Sequence, residues 1–329
     1  MKNIRFGTIG TNFISDTFAE AVALTDYAEI VSVYSRSHET GSAFAAKHGI
    51  ACDRVFTDFE SFAGSGIDAV YIASPNSLHA KQSIYFLERG IHVLCEKPAA
   101  SDLAEYLTMH EASVKGGAVL LEAMRPAHDP SWQVISDALP QIGRIRHAAF
   151  EFCQYSSRYG RHMAGEHVNT FDPSFSNAAL LDIGVYPLHC IVMLFGAPDE
   201  VTAKSVFLPD GFEASGEALL RYGSMTASAH YSKIYDSTRP SAIFGEDGEI
   251  LIDKLSFPHA AKLRLRTGEE RTLPIEPVPN NLVWEIRDFC ELVERGDTDH
   301  RFARVTESVM RVLDLARAET GIIWDKDRI

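Results

Sequence analysis

The sequence predicts an α/β protein: a doubly wound parallel sheet followed by an α+β region built on an open, mostly antiparallel sheet. Three observations predict it. Over the first 120 residues, short apolar runs alternate with amphipathic stretches. Such strands, apolar without a break and separated by crossover helices, belong to a parallel sheet covered on both faces. The first run opens into a tight turn at Gly10. Beyond about residue 125 the apolar runs lengthen and take on partial two-residue alternation, the mark of strands with one solvated face.

Taken in order, Ile4–Ile9 reads as a strand, Ile14–Leu24 as a helix, Ile30–Tyr34 as a strand and His38–His48 as a helix. Strand Ala69–Ala73, helix Leu78–Arg89, strand His92–Cys95, helix Asp102–Lys115 and strand Ala118–Glu122 follow. Ser37, Ser77 and Ser101 are suitable N-caps; Gly49, Gly90 and Gly116 suit helix ends. Arg144–Tyr155, Val201–Phe207, Ala214–Tyr222 and Ser224–Lys233 are the longer strands, with turns at Arg221-Tyr222-Gly223 and Glu246-Asp247-Gly248. Helices Asn281–Arg295 and Arg304–Thr320 close the chain. The length of 329 residues fits two domains, placed at 1–124 and 125–329, with the closing helices free to return to the first.

Composition narrows the function. Lys and Arg number 31 against 45 Asp and Glu, a net charge of −14, which disfavours a protein that binds nucleic acid by neutralising phosphates. No run of roughly 18 apolar residues lacks a charge. The most apolar region, Ala178–Ala197, holds Asp182, Pro187 and His189, so no membrane span is expected. The N-terminus enters a strand directly, without a leader segment, and the five cysteines form no CxxC pair. A cytoplasmic protein with reduced thiols is the expectation. HExxH and GxSxG are absent, and no His/carboxylate cluster has ligand spacing, so neither a metal site nor a hydrolase nucleophile is expected.

The first strand leads into Gly10-Thr11-Asn12-Phe13-Ile14-Ser15. In a G-x-G-x-x-G dinucleotide fingerprint the second and third glycines would stand where Asn12 and Ser15 are. Gly10 supplies the tight turn, Asn12 tolerates positive φ, and Ser15 is small enough for close helix–strand packing. A plain strand–turn–helix corner would look similar; the βαβ context favours a pyrophosphate at the helix N-terminus. The second strand ends in Tyr34-Ser35-Arg36-Ser37. Ser35 stands where an NAD site places an acid, and Arg36 beside it can pair with a 2′-phosphate. NADP is therefore the expected cofactor, with NAD possible.

Three further segments carry chemistry: Ala73-Ser74-Pro75-Asn76-Ser77-Leu78-His79 and Cys95-Glu96-Lys97-Pro98 at strand ends, and Asp182-Ile183-Gly184-Val185-Tyr186-Pro187-Leu188-His189. With these motifs the sequence resembles the Gfo/Idh/MocA family (glucose–fructose oxidoreductase, inositol dehydrogenase) along essentially its whole length. It is nearest to the tyrosine branch typified by dimeric dihydrodiol dehydrogenase. The resemblance implies a Rossmann domain, an α+β substrate domain and NAD(P)-dependent oxidation of an alcohol or reduction of a carbonyl. It matches Lys97 to the catalytic lysine, Pro98 to an often cis proline and Asp182 to the family's acid. Tyr186 stands where many members have His. Asn12, Ser15 and the pair Ser176-Asn177, which replaces a frequent Gly-Gly, depart from the pattern.

Physical reasoning assigns roles. Tyr has an ordinary pKa of about 10, too high for an efficient base at neutral pH. A Lys97 ammonium nearby would stabilise the phenolate and could polarise a carbonyl. Tyr186 is thus the expected proton donor and acceptor, Lys97 its electrostatic partner, and Asp182 the group orienting substrate or Lys97. Pro187 calls for a kink or a helix beginning nearby. Expected cofactor contacts are Gly10, Thr11, Asn12, Phe13, Ile14, Ser35, Arg36, Ser74, Pro75, Asn76, His79, Glu96 and Lys97. Glu96 could equally brace its loop, and His189 could equally be a core histidine. Arg125, His128, Tyr155, Tyr186 and His189 are candidates for the substrate side. Tyr155, Arg158, Tyr159, Arg161, His162 and His167 form either a pocket wall or a mobile loop. A sugar, polyol or related small alcohol or carbonyl is the expected substrate, and a homo-oligomer, a dimer by preference, would cover the second sheet. A non-catalytic dinucleotide-binding regulator and an NAD-dependent glycosidase are the alternatives.

Overall fold

The structure, a computed structural model, describes residues 3–324. The chain forms two compact units. The first comprises the chain up to His128 together with Pro279–Arg304; the second comprises Asp129–Val278 and the chain from Val305 onward.

In the first unit a six-stranded parallel sheet is built from β1 (Ile4–Ile9), β2 (Ala28–Tyr34), β3 (Val55–Phe56), β4 (Ala69–Ile72), β5 (His92–Glu96) and β6 (Leu120–Ala123). The strand order is β3-β2-β1-β4-β5-β6, so the sequence order reverses between β1 and β4. Ligands of open α/β sheets bind at the carboxyl ends of the strands flanking such a reversal. β3 has two residues and the helix Phe59–Ala63 five, too short to give a periodic signal in the sequence. The sheet's buried face carries Phe6, Tyr71, Leu94 and Leu121, and helix Leu282–Arg295 packs Leu282, Ile286, Phe289 and Cys290 into the same core. Those four positions share one helical stripe. Phe18 stacks on Tyr71 with ring centroids 3.8 Å apart, and Phe6 meets Phe289 at 5.5 Å. Removing such a buried ring costs about 3–5 kcal/mol, so these contacts fix the sheet that holds the turns above it.

The helix starts follow capping chemistry. Ser37 caps helix His38–His48, as its residue type predicts. Asp102, one residue beyond the expected Ser101, caps helix Leu103–Gly116 and accepts from Glu105 N–H. Helix Asn76–Leu87 begins after Pro75 rather than at Ser77.

The second unit is an eight-stranded sheet: β7 (Ile145–Cys153), β8 (Glu200–Phe207), β9 (Glu213–Tyr222), β10 (Met225–Ser232), β11 (Ser241–Gly245), β12 (Gly248–Ile252), β13 (Ala261–Leu265) and β14 (Glu270–Thr272). Its order is β14-β13-β12-β11-β7-β10-β9-β8. All neighbours are antiparallel except β7 and β10, which run parallel. The helix Val185–Phe195 packs on β7 and β10.

The helical stretch Pro173–Phe195 is long and apolar enough to cross a membrane, with a mean hydropathy of 1.9 in its most apolar window. Asp182 is its only charged residue. Yet 67% of that window is buried inside the protein, as befits a core helix.

Candidate active site

The first unit assembles turns at the carboxyl ends of its strands. After β1, Gly10 adopts φ +105°, and a Cβ there would lie 2.7 Å from the Ala73 carbonyl oxygen. Only glycine fits both conditions. Asn12, at the second fingerprint position, spans the turn. Its Oδ1 accepts from Ile14 N–H (3.1 Å) and Ser15 N–H (3.3 Å), while its Nδ2 donates to Ala73 O (3.0 Å). It caps helix Phe13–Val22 and ties the β1 turn to the end of β4, so the missing glycine is replaced by a brace. Thr11 stays partly exposed, Ile14 is half-buried, and Phe13 projects with 77% of its surface exposed. Gly10→Ala should lower stability by about 1–3 kcal/mol through backbone strain and the Ala73 contact. Urea denaturation checks this; an unchanged midpoint would show that the turn can relax.

After β2, Ser35 turns inward: its Oγ lies 2.7 Å from Thr40 Oγ1 and accepts from Ser37 N–H. It shapes the turn instead of reaching outward as expected. Arg36 is exposed, immediately before the helix whose N-terminus Ser37 caps. A guanidinium beside helix N–H groups suits a phosphate.

After β4, Ser74 donates to Gln82 Oε1 at 2.7 Å, and Pro75 and Asn76 lie partly exposed at the start of helix Asn76–Leu87. His79 departs from its expected cofactor contact. It is 1% exposed, with Nδ1 2.9 Å from Pro98 O and Nε2 2.9 Å from Ser74 O. The ring joins the β4 turn to the β5 turn, leaving no edge for a ligand.

After β5 comes Lys97, half-buried and joined to Pro98 by a cis peptide. Glu96 braces this loop: it accepts from Tyr71 Oη (2.6 Å) and from Lys97 N–H (3.2 Å). Buried Glu122 accepts from Ala99 N–H at 2.9 Å on the other side. Behind them Glu285 is 1% exposed, with neither carboxyl oxygen hydrogen-bonded. Burial first, then the charge of Glu96, pushes its pKa well up. Arg125, half-buried, begins the short turn Arg125–His128. His128 is corrected to a structural residue: it is 4% exposed, with Nδ1 3.0 Å from Asp288.

In the second unit, Leu180–Gly184 forms one wide π-helical turn that runs into helix Val185–Phe195. Such turns recur at functional sites. Pro187 is the third residue of that helix, directly after the π-turn, so a helix irregularity stands beside it, as its residue type predicts. Gly184 lies close under Tyr231: a Cβ there would be 3.0 Å from the ring, so a larger residue would press on it. Buried Glu213 holds the start of the turn. It accepts from Leu180 N–H (2.9 Å) and Ser205 Oγ–H (2.8 Å), and burial pushes its pKa up to about 7.

Asp182 and Tyr186 are both half-buried on this segment, and the four-residue step between them is close to one helical turn. The Tyr186 ring meets Phe152 edge-on at 4.9 Å. Asp182 Oδ2 pairs with Lys233 Nζ at 2.8 Å, a partner the sequence reading missed. Lys233 closes an apolar strand far along the chain, and no local motif announces it. His189 is 1% exposed, among the buried residues of its helix. Tyr155 is exposed, its ring 5.6 Å from Tyr159. In the stretch that follows, Arg158, Arg161 and His167 are exposed, while Tyr159 is half-buried against the core cluster of Val168, Phe171, Leu208 and Phe212. His162 stacks on Phe171 at 4.7 Å and pairs with Asp210 at 2.8 Å.

A parallel sheet with a glycine turn at its reversal point, a cation after β2 and a lysine after β5 define a dinucleotide-binding oxidoreductase. Its first half fits such a cofactor on the structure's own terms, because the Gly10 cradle admits no Cβ and a helix N-terminus stands beside it. The chain belongs to the GFO/IDH/MocA oxidoreductase family. Residues 4–123 match the model described as an oxidoreductase family with NAD-binding Rossmann fold, and residues 140–251 match the GFO/IDH/MocA C-terminal domain. It is 38% identical over 329 residues to scyllo-inositol 2-dehydrogenase (NADP(+)) IolU of Bacillus subtilis, covering 99% of each chain. It is 24% identical over 345 residues to human trans-1,2-dihydrobenzene-1,2-diol dehydrogenase, again covering 99% of each. The fold is that of KijD10, a 3-ketoreductase from Actinomadura kijaniata, with a TM-score of 0.87, 22% identity, and 97% and 98% of the two chains covered.

Proposed function

We propose that this oxidoreductase prefers NADP and interconverts an alcohol and a carbonyl on a sugar, polyol or related small molecule. The observation that carries the reading is the β2 turn. Arg36 is exposed beside a capped helix N-terminus, and no carboxylate stands between Tyr34 and His38 to repel a 2′-phosphate. The relative named for scyllo-inositol and NADP(+), similar along the full length, supports the substrate class.

Gly10, Thr11, Asn12, Phe13 and Ile14 would hold the pyrophosphate, Arg36 the 2′-phosphate, and Ser74, Pro75 and Asn76 the nicotinamide side. The bound nicotinamide supplies the two-electron acceptor or donor. Tyr186 takes the hydroxyl proton of an alcohol and returns it to a forming alkoxide. The Lys97 ammonium stabilises negative charge on that oxygen. Asp182 accepts a hydrogen bond from a substrate hydroxyl. Arg125 and Tyr155 complete the proposed substrate contacts.

Two measurements test the reading. A screen of polyols and sugars should show NADPH formation or consumption, and a panel without turnover would overturn the activity. In a titration, Arg36→Ala should weaken NADPH roughly 10–100-fold, the worth of one charged hydrogen-bonded pair. It should leave NADH nearly unchanged; an equal loss for both would overturn the role of Arg36.

We place the protein in a reducing compartment, the cytoplasm, with its five cysteines unpaired in support. A homo-oligomer formed through the second sheet is supported by Leu219, Val206 and Phe244, which are exposed on it.

A further inference from the structure

We propose that Lys233 is a positioning residue: its buried ammonium clamps Asp182 to the segment 168–172 and so fixes where the carboxylate stands relative to Tyr186. This rests on the reading that Asp182 serves the substrate.

Lys233 follows β10 and its side chain is 3% exposed. Its Nζ lies 2.8 Å from Asp182 Oδ2 and donates to the Thr170 carbonyl at 2.5 Å. It also sits over two aromatic faces, 4.7 Å from the Phe171 centroid and 5.3 Å from that of Phe212. One ammonium therefore touches the π-turn and the loop that covers it. Neighbouring carboxylates are engaged elsewhere. Asp172 holds His167 and Ser174 N–H, Asp210 holds His162, and Glu213 holds Leu180 N–H and Ser205. Asp182 is left as the counter-charge of Lys233.

Packing alone does not call for this arrangement. Burying an ammonium costs several kcal/mol unless it is paired, and an apolar side chain of similar volume is often as stable at such a place. The cavity walls, Phe171 and Phe212, would accept a methionine. A lysine gives what a methionine does not: a fixed direction for one carboxylate oxygen. A misplacement of about 1 Å at a reacting centre costs on the order of 10²-fold in rate.

The test uses the full chain with Lys233→Met, Lys233→Arg and Asp182→Asn, each alone, and Lys233→Met combined with Asp182→Asn. In Lys233→Met, kcat should fall on the order of 10²-fold while KM for NADPH stays put. Lys233→Arg should recover part of the loss, and adding Lys233→Met to Asp182→Asn should cost little more. Amide hydrogen exchange, which needs no turnover, should quicken at residues 168–172 in both Lys233→Met and Asp182→Asn. Retained kcat in folded Lys233→Met, or fully additive losses in the double variant, would overturn the proposal. If the wild type turns over no substrate, the functional reading falls and exchange decides alone: unchanged protection in both variants overturns the clamp. Should Lys233→Met fail to fold, Asp182→Asn decides, with unchanged exchange at 168–172 again overturning it.

Discussion

Tyr186→Phe and Lys97→Met should each lower kcat by roughly 10²–10⁴, the usual range for a group that moves or stabilises a proton in the transition state. Both substitutions leave the surrounding structure supported. The Tyr186 ring meets Phe152 edge-on, a contact that phenylalanine keeps, so only the phenolic oxygen is lost. The loop bearing Lys97 is fixed by groups other than its ammonium: Glu96 through Tyr71, Ala99 through Glu122, and the Pro98 carbonyl through His79. A loss of rate in these variants therefore reports chemistry rather than collapse. Steady-state kinetics and a thermal midpoint, measured together, check the expectation. Near-normal turnover in either folded variant would remove that residue from the mechanism. On the proposed mechanism the double variant should be little worse than the poorer single one, because groups proposed to serve one proton transfer would fail together.

Much of this protein could be read from its residues, and what could not has physical causes. The first sheet was legible because its strands are short, mostly apolar runs separated by helical stretches; β1 lies where Ile4–Ile9 predicts. β3, with two residues, and the hairpins from β11 to β14 were less visible, since short elements carry little periodicity. Site residues divide the same way. Gly10 announces itself through the turn that follows a strand. Histidine is ambiguous: His79, His128 and His189 look like ligands in sequence, yet all are buried in the structure. Asn12 reads as a degraded glycine until its hydrogen bonds show a cap and a cross-tie. Lys233 was invisible because its partner Asp182 is distant in sequence and only tertiary folding pairs them.

Glu213 should make stability fall as pH rises from about 4.5 to about 7. Its carboxyl is pushed up to about 7 by burial, which outweighs the Leu180 N–H, Ser205 and Tyr231 hydrogen bonds that favour the anion. In the unfolded chain it returns to the ordinary range near 4.5. Between those values the unfolded state has released a proton that the folded state retains. The contribution is thus complete below the unfolded value and lost as pH rises through the folded one, about 3 kcal/mol in all. Glu213→Gln should flatten that part of the profile, since an amide oxygen can still accept from Leu180 N–H while the titration is gone. Urea denaturation midpoints from pH 4.5 to 8, compared between the two proteins, measure the difference; parallel curves would show that Glu213 does not titrate in this window. Buried Glu285, shifted in the same direction, leaves a residual slope in both proteins. The comparison therefore isolates the carboxyl at the start of the π-turn, the turn that carries Asp182 and leads directly into Tyr186. Above pH 7 the carboxyl is ionised in both states and adds no further slope.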